Sequence, residues 1–174
     1  LEIKTRSQNG TFDDLNAIDV LWSWLMIEIK CDTGDNIFVD ADSLRGAMLR
    51  WMNLHRAQLD AADLSEADLA GADLRSASLE GIIACGANFE RTNLVAVIAK
   101  EANFSNARMS GCRFISGDFQ DSVFVNADLT GADLDYANLC GCDFRGAKLV
   151  GASFDQCTVD ETTIWPDGFT PPGA

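Results

Sequence analysis

The sequence predicts an all-β solenoid, a tube of square coils each made from four five-residue units, on three observations. From Asp42 to Pro166 the chain counts in fives, with a large apolar residue at the centre of nearly every unit: Leu44, Leu49, Leu54, Leu59, Leu64, Leu69, Leu74 and Leu79, then Phe89, Leu94, Phe104, Met109, Phe114, Phe119, Phe124, Leu129, Leu134, Leu139, Phe144, Leu149 and Phe154. Two residues before most centres stands a small residue, as in Ala57, Ala62, Ala67, Ala72, Ala127 and Ala132. Gly, Ser, Asn and Asp flank the centres, with Gly71, Gly81, Gly111, Gly131 and Gly151 two residues after.

A spacing of five fits neither a helix with an apolar stripe, which needs about 3.6, nor a half-buried strand, which needs 2. Short identical units that cannot bury their apolar residues alone must stack on their neighbours. The flanking residues suit tight turns. A path that turns every five residues while sending the centre and the preceding small residue inward closes most simply as four units per coil.

The runs Ala62-Asp63-Leu64, Ala67-Asp68-Leu69, Ala72-Asp73-Leu74, Ala127-Asp128-Leu129 and Ala132-Asp133-Leu134 resemble the A(D/N)LXX signature of pentapeptide repeat proteins. The resemblance covers residues 42–166. It implies a right-handed quadrilateral parallel β-helix of about six coils, roughly 30 Å long at the usual inter-strand spacing. Two units depart from the pattern: Ile82-Ile83-Ala84-Cys85-Gly86 and Val97-Ile98-Ala99-Lys100-Glu101 put the large residue first and the small one at the centre. The exchange conserves volume and reads as a packing variation.

A solenoid exposes its core at both ends and needs caps. Residues 1–41 lack the repeat and are expected to cap the first coil. Phe12, Leu15, Ile18, Leu21, Trp22 and Leu25 stand at helical spacing, and Thr11 with Asp14 resembles a capping box, so a helix over about 12–25 is expected. Alternation of Ile27, Ile29 and Cys31, the turn residues Asp32-Thr33-Gly34-Asp35, and then Ile37 and Val39 predict a hairpin over 26–40. Met48 and Trp51 face outward on the first coil, and the Trp22/Trp24 segment is their expected cover. At the other end Ile164-Trp165-Pro166-Asp167-Gly168-Phe169 stops the repeat, and residues 167–174 form a proline-rich tail that discourages edge pairing. Its W-P-x-G-F pattern resembles the ending of cyanobacterial and plastid members of the family.

At 174 residues and 47% hydrophobic, the chain is read as one domain with a continuous core. No run of about 18 apolar residues occurs, so no membrane-spanning helix is expected. The chain begins at Leu1 without a signal-like segment and is read as a mature or trimmed form. The expected location is cytoplasmic, or the thylakoid lumen or periplasm if a signal was removed.

Six cysteines suggest a disulfide framework until they are placed on the repeat. Cys112, Cys142 and Cys157 take the small inward position, Cys112 and Cys142 on opposite walls, and Cys140 points away from Cys142. A bridge needs α-carbons within about 7 Å and converging side chains, and the spacing gives no pair both, so the thiols are read as reduced.

The net charge is −14, and its distribution over the four walls is uneven. The wall on centres 59, 79, 99, 119, 139 and 159 carries Asp60, Glu80, Glu101, Asp118, Asp121, Asp160 and Glu161 against Lys100 alone, a candidate interaction surface. The wall on centres 49–149 is about balanced, with Arg50, Arg91, Arg108 and Lys148 opposing Asp68, Glu90 and Asp128. Val95 and Ile115 face outward on the wall of centres 54–154, and with Trp51 they form a candidate apolar strip.

No arrangement of residues suggests catalysis, a cofactor or a metal. His55 is read as a solvated surface imidazole, and Asp133 with Asp135 or Asp118 with Asp121 as features of the repeat. The expected function is therefore a non-catalytic scaffold for an unidentified protein partner, monomeric, without membrane or direct nucleic-acid binding. An alternative follows from the resemblance: quinolone-resistance relatives are thought to imitate duplex DNA and so occupy type II topoisomerases. DNA carries about one charge per 1.7 Å, so a 30 Å rod would need about 17 charges. Residues 42–166 carry eighteen acids against ten bases, well short of that. A purely structural role is the third reading.

Overall fold

The computed structural model describes residues 2–6 and 24–170. From Met48 to Asn138 each residue preceding a centre bridges in parallel to the residue twenty positions on, as in Met48↔Asp68, Asn53↔Asp73, Gln58↔Ser78 and Asp63↔Ile83, through to Asn138↔Thr158. Twenty residues per coil means four units per coil, with successive units on successive walls. Each wall holds one bridging residue per unit before the chain turns, too little for a regular strand. The named strands are accordingly confined to the N-terminal part: β1 (Glu2–Arg6), β2 (Trp24–Ile29) and β3 (Ile37–Asp40).

The turns repeat with the same geometry. The amide three residues after a centre donates to that centre's carbonyl, as in Ala47→Leu44 (3.1 Å) and Ala72→Leu69 (2.9 Å). The second residue after each centre, from Gly46 to Gln156, has φ between 52° and 71°. A bond from i+3 to i with positive φ at i+2 alone is the type II pattern. Between coils, Leu49 N donates to Asp68 O (2.7 Å), Trp51 N to Ala70 O (3.1 Å), and Asp68 N back to Ala47 O (2.9 Å). The ladder thus absorbs the backbone polar groups along the walls.

Every centre from Leu49 to Phe144 is fully buried. On one wall Phe104, Phe124, Phe144 and Trp165 stack along the axis at 5.1, 5.0 and 5.1 Å between ring centroids, within 14° of parallel. Across the tube the rings meet edge to face, as in Phe114–Phe119 at 5.1 Å and 72°. Ile82 and Val97 are buried beside the small centres Ala84 and Ala99, and the ladder continues through Ile83↔Asn103 and Ile98↔Asp118.

The ends depart from the repeat. β1 pairs antiparallel with β2, from Glu2↔Glu28 to Arg6↔Trp24, and β2 pairs with β3, from Met26↔Asp40 to Ile29↔Ile37. Nothing in the sequence reading anticipated β1. The helix expected over about 12–25 lies outside the described residues apart from Trp24 and Leu25, whose backbone opens β2, and no helix occurs among the described residues. The sheet joins the tube through Cys31↔Ala57, Asp32 N→Arg56 O (3.1 Å) and Gln58 N→Lys30 O (2.8 Å), and Ile27, Ile29 and Val39 enter the common core. At the far end the count slips by one, since Asp143 bridges to Ile164. The extra residue is absorbed where Asp160 accepts from Thr162 N (3.0 Å) and Thr162 Oγ1 (2.7 Å). Trp165 then lies against Phe154 and Phe169, closing the aromatic column.

Candidate interaction surface

Three positions of each unit face outward: the residue before the centre and the two after it. The first is largely occupied by the fold. Asp or Asn there accepts from the amide two residues on, as in Asp63←Ser65 (2.9 Å), Asn88←Glu90 (3.1 Å), Asp128←Thr130 (3.1 Å) and Asp143←Arg145 (3.0 Å). These Asx turns explain why Asp recurs before the centre, and they make part of the acidity a by-product of turn formation. Hydrogen bonds from Ser65 and Thr130 hold the Asp63 and Asp128 carboxyls below the usual carboxylate range, and bonds from Arg75 and Arg145 do so for Asp73 and Asp143.

The acidic wall divides on the same principle. Asp60 accepts from Ser78 Oγ (2.5 Å) and Glu80 N (2.9 Å). Asp118 accepts from Asn138 Nδ2 (2.9 Å) and pairs with Lys100 (3.1 Å). Asp121 accepts from Gln120 Nε2 (3.1 Å), and Asp160, bonded chiefly by Thr162 and also by Gly141 N, is lowered to about 2. Glu80, Glu101 and Glu161 make no side-chain hydrogen bond or ion pair among the described residues. The wall therefore presents fewer uncommitted acids than its composition suggests.

The apolar candidates do not come together. Val95 and Ile115 are half-buried on the wall of centres 54–154, whereas Trp51 belongs to the wall of centres 49–149. Val150, Met48 and Trp51 are the most exposed large apolar residues described, at 77%, 70% and 69%, and all three lie on that second wall. The expected cover falls outside the described residues, Trp22 entirely and Trp24 in its side chain. The Trp51 ring lies flat across Gly71 of the next coil, where a Cβ would collide with it. Arg50, Trp51, Ala70, Glu90, Arg91 and Ser110 line a surface hollow of about 400 Å³ beside the ring. The sequence reading placed Val95 and Ile115 on their wall but joined Trp51 to them across walls, and it did not single out Val150, which its outward position on the wall of centres 49–149 would have found.

His55 is not the solvated imidazole expected. It is half-buried, and its Nε2 is closed off without a hydrogen-bond partner beside a hollow of about 430 Å³ whose lining includes Cys31, Asn36, Asn53 and Arg75. The hairpin loop that covers it is distant in sequence, so a residue facing outward from its own unit became enclosed by another part of the chain. All six cysteines are free. Cys112 Sγ donates to Phe89 O (2.6 Å), and burial pushes its thiol up to about 12. Cys142 Sγ donates to Phe119 O (2.9 Å), with its thiol likewise raised by burial. Among the described residues no group of His, Cys, Asp and Glu is placed to hold a metal ion, and no helix is long and apolar enough to cross a membrane.

The family model for pentapeptide repeats matches residues 43–81, 53–91, 84–121 and 122–159, with 8 copies. No curated protein matches the sequence. Among solved structures, HetL, a pentapeptide repeat protein involved in heterocyst differentiation regulation from the cyanobacterium Nostoc sp. strain PCC 7120, is 26% identical over 72% of this chain and 62% of its own, with a TM-score of 0.48. Rfr23 from the cyanobacterium Cyanothece 51142 is 30% identical over 60% of this chain and 64% of its own, with a TM-score of 0.39. QnrB1, a plasmid-mediated fluoroquinolone resistance protein, is 18% identical over 67% of this chain and 74% of its own, with a TM-score of 0.42. The chain thus spans less than two thirds of the length of the first two.

Proposed function

Because the chain belongs to the pentapeptide repeat family, whose members fold as right-handed β-helices, we propose that it is a non-catalytic scaffold that binds another protein through one of its walls. In this reading the tube has about six coils, with the β1–β3 sheet capping one end and the Trp165–Phe169 turn the other. The observation that carries the proposal is the division of labour within each unit. The centre and the small residue before it fill a closed core, and the Asx position serves the turn. The two residues after each centre are left as columns of side chains at a fixed axial spacing of about 4.8 Å.

Photo-crosslinking residues placed at positions 51, 95 and 101, one on each of three walls, test this in cells that express the protein. A discrete protein adduct from at least one position is expected. Absence of adducts from all three overturns the scaffold reading.

One observation favours a second reading: Lys100 is the lone base on the acidic wall, and it is already paired with Asp118. Charge mimicry of DNA against a type II topoisomerase would use that wall. It requires inhibition of gyrase supercoiling that fades with salt and is lost in Glu80→Gln/Glu101→Gln/Asp121→Asn.

A further inference from the structure

We propose that the wall on centres 49–149 is the docking face, and that its partner is an acidic protein segment with an apolar anchor, read by Arg91 and Trp51. This rests on the scaffold reading and names both its wall and the chemistry of its partner.

The first support is where exposed apolar surface gathers. Met48 and Trp51 stand together on the first coil of this wall and are among the most exposed large apolar residues described, with Val150 at its other end. Met48 and Trp51 are adjacent on the first coil and bordered by Arg50, and exposed apolar surface rimmed by polar groups marks interaction sites. From Met48 to Val150 the wall runs five coils, about 24 Å, which an extended segment of about seven residues would cover.

The second support is charge. Arg50 pairs with Asp68 (3.0 Å), Arg108 with Glu90 (3.8 Å) and Lys148 with Asp128 (3.4 Å), so the wall neutralises itself coil by coil. Arg91 is exposed and makes no side-chain hydrogen bond or ion pair among the described residues, leaving one cation over. Each of the other three walls carries more acids than bases. Arg56 and Arg113 are also unpaired among the described residues, on the wall of centres 54–154, but there Asp133, Asp135 and Asp155 outnumber them. The wall of centres 49–149 is thus the one on which bases outnumber acids and an acidic segment meets least repulsion.

The third support is pre-organisation. The Trp51 ring rests on Gly71 with its outer face open, and the Arg91 stem approaches Gly111, whose added Cβ would lie 3.6 Å away. Both side chains are laid along the axis by glycines of the next coil and border the same hollow. Side chains already held in place lose less entropy on binding, and Trp and Arg are the commonest binding hot spots.

Panning short random displayed peptides on the full chain tests the proposal, followed by affinity measurements with individual synthetic peptides. Enriched peptides should place Asp or Glu close to a large apolar residue. Trp51→Ala should weaken them at least tenfold, and Arg91→Glu should reverse the preference toward Lys- and Arg-bearing peptides. Glu80→Gln/Glu101→Gln should bind them as the parent does. Both test positions accept the replacements conformationally, since Ala61 and Glu66 already occupy the same turn position with φ of 55° and 62°. Unchanged thermal melting would verify folding.

Enrichment of basic or uncharged peptides, equal binding by Trp51→Ala, or no enrichment at all overturns the proposal. Peptides lost on the Glu80/Glu101 variant would move the site to the acidic wall and leave the scaffold reading standing. That reading fails separately if the crosslinking positions yield no adduct.

Discussion

The wall on centres 49–149 and the wall on centres 59–159 face opposite ways from one tube. They share the same ladder, the same type II turns and the same closed core, yet one is charge-balanced with its large apolar residues exposed, while the other carries seven acids against Lys100. The difference lies wholly in the outward columns. Two positions of five, the centre and the small residue before it, hold the fold, and a third is drawn in wherever it forms an Asx turn. The remaining positions can be specialised wall by wall at little cost to stability, so fold and function are separable along this chain.

The largest expected effect removes that separation. Phe124 touches Phe104, Phe114, Phe119 and Phe144, so truncation opens a cavity lined by centres from three of the four walls. Phe124→Ala should destabilise by about 3–5 kcal/mol in urea unfolding. Any binding by either wall should weaken together with stability. A cost below about 1 kcal/mol would mean the aromatic column is not the common support of the walls.

A smaller effect should be confined to one wall. Gly71 has φ of 69° and lies beneath the Trp51 ring. Gly71→Val puts a β-branched residue in the left-handed region and drives the ring off its seat. The expected loss is about 2 kcal/mol. In a Trp51→Ala background the steric part disappears and the backbone part remains, so a double-mutant cycle measures the ring's contact with the glycine. Full additivity would show that Trp51 does not rest there.

Acid should affect all walls alike. The lowered carboxyls are distributed around the tube: Asp63 and Asp143 on one wall, Asp128 on the balanced wall, Asp73 on a third and Asp160 on the acidic wall. A depressed folded-state pKa contributes stability that is complete above the unfolded value, near pH 4, and is lost as pH falls through the folded value. Stability should therefore decline from about pH 4 toward pH 2, where Asp160 takes up its proton. Replacing Asp160 by Asn should remove part of that slope. Constant stability from pH 5 to pH 2 would sink the view that these carboxylates are structural.

The sequence made the tube legible because its constraint is local and strictly periodic: a centre and a small residue, repeated, admit one closed path. It also showed the acidic wall, since walls follow from counting. It did not show which acids are committed, because Asp60 meets Ser78 and Asp160 meets Gly141 only across coils. The enclosed His55 and the strand β1 were missed for the same reason. Both depend on pairing between segments distant in sequence, where no period helps. The slip at Asp160–Thr163 escaped because one extra residue in a turn leaves the apolar spacing on either side nearly unchanged.

The smallest expected effect bears most directly on why the two walls differ. After its centres the balanced wall carries Trp51, Gly71, Arg91, Gly111, Gly131 and Gly151, whereas the acidic wall carries Ala61, Gly81, Glu101, Asp121 and Gly141 at the same corner, all with positive φ. If the turn itself demanded glycine, the acidic wall would be strained. Ala61→Gly relieves the Cβ contact of a left-handed residue but adds entropy to the unfolded chain. Gly131→Ala, whose new Cβ meets nothing within 4 Å, reverses both terms. With the left-handed cost of about 1–2 kcal/mol set against an opposing entropy term of about 0.4–1 kcal/mol, each should shift stability by about 1 kcal/mol or less in thermal or urea melts, Gly131→Ala downward. Two small values would mean that the turn tolerates either residue, so that glycine on the balanced wall serves to flatten its surface. A loss above about 2 kcal/mol for Gly131→Ala alone would assign that glycine to the fold and remove one reason to regard the wall as shaped for a partner.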